Sequence, residues 1–157
     1  MDTKANPPTS ITPGDAALLL AQLDDRPTLV NINTAARRIA PIASSLASVQ
    51  KRLACLSSFT IDFLKTQLEL QALRAGLHLQ IHVAAYGQVD QELIDPNSGV
   101  ASFNPDVVLI AVRLRDVCPA LYDAFNSLSP NDAKAMIDDW LARFKSALMS
   151  FRQHSQA

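Results

Sequence analysis

Apolar positions recur with a helical period at the start of the chain. Ala16, Leu19, Leu20 and Leu23 form a stripe behind Thr12, a capping residue, with Pro13 at the first helical position and Asp15 in the first turn. A helix over about 13–24 is predicted. Asp24-Asp25-Arg26-Pro27 ends it, because the residue before a proline avoids the α region. From Thr28 to Gln50 the pattern stays mostly helical: Leu29, Ile32, Ala36 and Ile39 line one face, Leu46 and Val49 a second, and Pro41 splits the stretch in two. Residues 1–11, polar and rich in proline, read as a mobile tail.

The period then changes. Arg52-Leu-Ala-Cys-Leu56 reads as a short buried strand. Ile61, Leu64, Leu68, Ala72 and Leu73 recur at helical spacing, and Gly76 closes that helix. Leu77–Ala85 reads as a second strand, with His78, Gln80 and His82 alternating against Leu79, Ile81 and Val83. Strand, helix, strand is a βαβ unit, so the strands are expected to be parallel with a right-handed crossover. Tyr86-Gly87-Gln88 starts a loop into a short helix over Asp90–Ile94, and Asp95-Pro-Asn-Ser-Gly99 is a turn. Val107–Val112 is the most β-branched run and is expected at the centre of the sheet. Ser129-Pro130-Asn131-Asp132 starts a last helix whose apolar face is Ile137, Trp140, Leu141, Phe144, Leu148 and Phe151. The expected segments are therefore a tail (1–11), a helical segment (12–50) and an α/β domain (51–157). Three strands are few for a doubly wound sheet. Either the sheet is incomplete, or the last helix covers its open edge, or two copies pair.

At 157 residues, with 48% hydrophobic and 18% charged, the chain suits one globular domain. A net charge of −1, with the basic residues scattered apart from the pairs Arg37-Arg38 and Lys51-Arg52, argues against nucleic acid and anionic membranes as partners. Cys55 and Cys118 each sit in an apolar run and read as buried free thiols. The first residues carry no apolar core of a signal peptide and no run reaches membrane-spanning length, so a cytoplasmic location is expected.

Open parallel sheets bind ligands at the carboxyl ends of their strands. Those positions hold Ser57, Ser58 and Thr60 after the first strand, Tyr86, Gly87 and Gln88 after the second, and Arg113 and Arg115 after the third. Ser58 at a strand-to-helix turn is either a nucleophile or a helix cap. A serine nucleophile needs a base, and none of His78, His82 and His154 has an acid at useful spacing. With four glycines there is no phosphate loop, no Asp-x-Asp pair follows a strand, and no metal site is expected. A ligand pocket is expected near Ser57, Ser58, Thr60, Tyr86, Gln88 and Asn104, with Arg113 reaching a carboxylate or phosphate.

Three blocks carry a family resemblance. Leu56-Ser-Ser-Phe-Thr-Ile-Asp-Phe-Leu64, Tyr86-Gly-Gln-Val-Asp-Gln-Glu-Leu-Ile-Asp-Pro-Asn-Ser98 and Phe103-Asn-Pro-Asp-Val-Val-Leu-Ile110 resemble, in order, the N-terminal region of FkbH-like proteins. These are enzymes of HAD-superfamily subfamily IIIC in polyketide pathways. The middle block, similar to Y-G-Q-x-x-Q-E-x-x-[DN]-P-x-S, is the specific one. The resemblance implies a three-layer flavodoxin- or SGNH-like α/β sandwich with a short, incomplete parallel sheet preceded by N-terminal helices. It implies that the whole enzyme moves a glyceryl unit from 1,3-bisphosphoglycerate to an acyl carrier protein, with Mg²⁺ and the catalytic Asp-x-Asp in a downstream HAD domain and no cofactor in this chain. Ser58 falls where an SGNH nucleophile would stand. However, Ser57 replaces the aspartate of Gly-Asp-Ser, Arg113-Leu-Arg-Asp116 replaces Gly-x-Asn-Asp, and the terminal Asp-x-x-His is missing. The expectation is a non-catalytic accessory domain for carrier docking or homodimerisation. The alternatives are a weak SGNH-type acyl hydrolase or transferase using Ser58, and a stand-alone interaction module.

Overall fold

Thr12 caps the first helix reciprocally. Its Oγ1 accepts the Asp15 N–H at 3.2 Å, while its own N–H donates to the Asp15 carboxylate at 3.0 Å. In the computed structural model, which describes residues 11–155, α1 then runs Pro13–Asp25 and α2 Leu29–Ile39. The expected tail lies outside the described residues except for Ile11. Pro41 falls in a 3₁₀ turn, Ala40–Ile42, that leads into a one-turn α3, Ala43–Leu46. Next come β1 (Val49–Ser57), α4 (Asp62–Arg74), β2 (Leu77–Val83), α5 (Val89–Ile94) and α6 (Gly99–Phe103). The chain continues through β3 (Val107–Ala111), α7 (Leu114–Val117), α8 (Pro119–Ala124) and α9 (Pro130–His154).

The chain divides into two compact units. One holds residues up to Gln50 together with Thr66–Leu79. Its core is Ala16, Leu23, Ile32, Ala35, Ile39, Ala43 and Leu70. The buried stripe of α2 is thus Ile32, Ala35 and Ile39, and Leu29, expected on that face, is exposed. On α4 the buried residue is Leu70, at a position outside the expected stripe. Gly76, at φ +74°, ends α4 in the left-handed conformation, as the expected closing residue should. The Nδ1 atom of His78 is buried without a hydrogen-bond partner.

The other unit holds Lys51–Lys65 and residues 80–157. Strand order is β2-β1-β3, with β1 and β3 parallel and Leu53 to Ser57 opposite Val107 to Ala111 in sequence. This corrects the expectation that the β-branched run is central. Leu53 to Ser57 are five consecutive buried residues, a pattern that needs cover on both faces and neighbours on both edges. β3 lies at the edge, and its Val107 and Leu109 are 54% and 39% exposed. β-branching reports preference for extended backbone, not the number of neighbours.

A second core joins Ala54 and Leu56 of β1 to Val89, Leu93 and Val100, and to Ala147 and Phe151 of α9. Only the second half of α9 is buried there. Ile137 and Leu141, expected on the same face, are exposed. α6, α7 and α8 fill stretches to which the sequence pattern assigns no helix; they are too short to show a period.

Candidate functional site

The backbone brings three strand ends together. The Ser58 N–H donates to the Ala111 carbonyl at 3.1 Å, the Ala84 N–H to Cys55 at 2.9 Å and the Gly87 N–H to Ser57 at 3.2 Å. Gly87 has φ +71°, which lets the chain turn sharply over the end of β1. A cleft of about 490 Å³ opens here, lined by Ser58, Tyr86, Gly87, Asp90, Asp116 and Trp140, with Arg143 and Phe144 also on its wall.

Ser58 is buried. Its Oγ accepts the Arg113 N–H at 2.9 Å and donates to Asp116 Oδ2 at 2.8 Å. Arg113 grips the same carboxylate with Nε to Oδ2 at 2.7 Å and Nη2 to Oδ1 at 3.2 Å. Its guanidinium also lies 5.4 Å from the centre of the Phe59 ring. The guanidinium first, and the Ser58 hydroxyl after it, hold the Asp116 carboxyl below the usual carboxylate range. The same pairing pushes Arg113 up. A carboxylate so stabilised is a poor acceptor for the serine proton, and no imidazole bonds to the hydroxyl. The group is a closed brace between the ends of β1 and β3.

The predicted site residues are not all brought together. Ser58 and Tyr86 line the cleft, and Arg113 bonds to two of its lining residues. Ser57 is buried beneath it, its Oγ accepting the Phe59 N–H at 3.0 Å. Thr60 and Gln88 are exposed and do not line it. Asn104 is corrected outright. It ends α6 with φ 50°, ahead of β3, at the opposite end of the parallel strands from Ser58. Asp116, absent from the expected set, is the residue that engages Ser58. Arg113 spends its fork on that carboxylate, leaving it poorly placed for a bound anion. His82 stacks on Phe103, ring centres 5.3 Å apart, and does not reach Ser58.

The other signature residues hold backbone too. Glu92, 9% exposed, accepts the Val100 N–H at 2.9 Å. Ser98 donates to the Glu92 carbonyl at 2.9 Å and caps α6 by accepting the Ala101 N–H at 3.1 Å. Asp95 accepts the Asn97 N–H at 2.8 Å. Asp106 accepts the Arg52 N–H at 2.7 Å and Lys51 Nζ at 3.2 Å, fixing the start of β3 against β1. These bonds, the Arg52 N–H first, lower its carboxyl as well. Among the described residues no cluster of His, Cys, Asp and Glu fits a metal ion, and no helix is long and apolar enough to cross a membrane.

Residues 52–155 match the model of the family described as "FkbH, N-terminal domain". The fold is similar to the crystal structure of the N-terminal part of the protein BF1531 from Bacteroides fragilis, containing a phosphatase domain and complexed with Mg. The TM-score is 0.55 at 21% identity, covering 72% of this chain and 28% of that one. No curated protein is significantly similar in sequence.

Proposed function

Because this chain belongs to the FkbH N-terminal domain family, we propose that it is the non-catalytic accessory domain of an FkbH-like enzyme. In this reading the enzyme is cytosolic and loads a glyceryl or related acyl unit onto an acyl carrier protein. Phosphate removal and Mg²⁺ belong to a HAD domain elsewhere in the enzyme, and this domain contributes carrier docking. The observation that carries the reading is the state of Ser58. Its hydroxyl is committed to Asp116 and to the Arg113 N–H, and the signature residues Glu92 and Asp106, elsewhere in the fold, bind backbone N–H groups. The match to BF1531, a protein with a phosphatase domain, supports the placement beside a HAD unit. The test compares carrier loading by the full enzyme with and without this domain, followed by mass spectrometry of the carrier. Slower loading with intact phosphate release from the donor is expected. Equal loading would overturn the proposal.

The open edge of β3 favours dimerisation as a second role. Five uncharged, apolar residues run along an edge with no lysine, proline or bulge to discourage pairing. Sedimentation of the wild type against Leu109→Lys tests it. A dimer that the lysine dissociates is expected, and a monomeric wild type at high concentration would exclude it.

A further inference from the structure

We draw no further inference here: the strongest candidate, the apolar groove between β3 and α9 lined by Val108, Ile110, Leu148 and Phe151, borders the edge already read for pairing, and nothing in the structure shows what covers it.

Discussion

Ser58 and Asp116 lie 58 positions apart in sequence and 2.8 Å apart in space, hydroxyl to carboxylate. The same hydroxyl accepts the Arg113 N–H, so one side chain ties the turn after β1 to the turn after β3 on both sides of the arginine–carboxylate pair. An activated serine needs a basic partner free to take its proton. Here the partner is a carboxylate already held by a guanidinium fork. The arrangement stabilises the strand ends without preparing a nucleophile.

Ser58→Ala therefore acts on stability. It leaves the Arg113 N–H without its partner and takes one donor from Asp116, for a cost of about 1–3 kcal/mol. Urea denaturation should show a lower midpoint with an unchanged slope. Turnover of p-nitrophenyl esters should be the same in both proteins. Loss of turnover in a variant of wild-type stability would instead make Ser58 the nucleophile of an acyl hydrolase.

Glu92 offers a second test of the view that signature residues serve the backbone. Its buried carboxylate accepts the Val100 N–H where α6 begins. Glu92→Ala strands that N–H and should cost about 1.5–3 kcal/mol, the range for hydrogen bonds to charged groups. Glu92→Gln keeps a carbonyl acceptor of the same reach and should cost less. Thermal melts of the two variants give the order. A milder effect of Ala than of Gln would contradict the assignment.

What could be read from the sequence was local. Thr12 and Ser129 each cap the helix that follows, and the strand–helix–strand run around Gly76 has the expected order, because caps and periodicities involve residues a few positions apart. The centre of the sheet is not legible in this way, since Val107–Ala111 advertises extended backbone while neighbours decide burial. The same reason limits α9: Ile137 and Leu141 have the right spacing yet stand 42% and 48% exposed. Ser58 and Tyr86 were legible from their place after strand ends. Asp116 was not, as its partner is 58 residues away. The available signal was topological: with β1 adjacent to β3, the Arg113-Leu-Arg-Asp116 run must meet the Ser57-Ser58 turn.

The two thiols should separate in labelling. Cys55 is 2% exposed in the central strand, and burial pushes its thiol up, so little reactive thiolate forms. Cys118 is half-buried at the junction of α7 and α8. Iodoacetamide treatment of native protein at neutral pH, read by peptide mass spectrometry, should modify Cys118 and spare Cys55. Labelling of both is expected only after denaturation. Rapid native labelling of Cys55 would show that β1 opens locally.

Acid should weaken the protein through its bracing carboxylates. Asp15, Asp106 and Asp116 are all held below the ordinary carboxylate range: by Thr12, by the Arg52 N–H with Lys51, and by Arg113 with Ser58. A group depressed in the folded state binds fewer protons there than in the unfolded chain, so stability rises with pH wherever the two differ. The contribution is fully present above the unfolded value, about 3.9 for aspartate, and is lost as pH falls through each lowered folded value. All three groups face solvent, which limits each share. Urea midpoints measured from pH 6 downward should hold level and then fall below roughly pH 4. Asp116→Asn keeps an acceptor for Ser58 but cannot titrate, so it should be less stable near neutrality, by losing the charge that faces Arg113, and should show a shallower acid slope. An identical acid slope in Asp116→Asn would mean that the Arg113 pairing contributes nothing to folding.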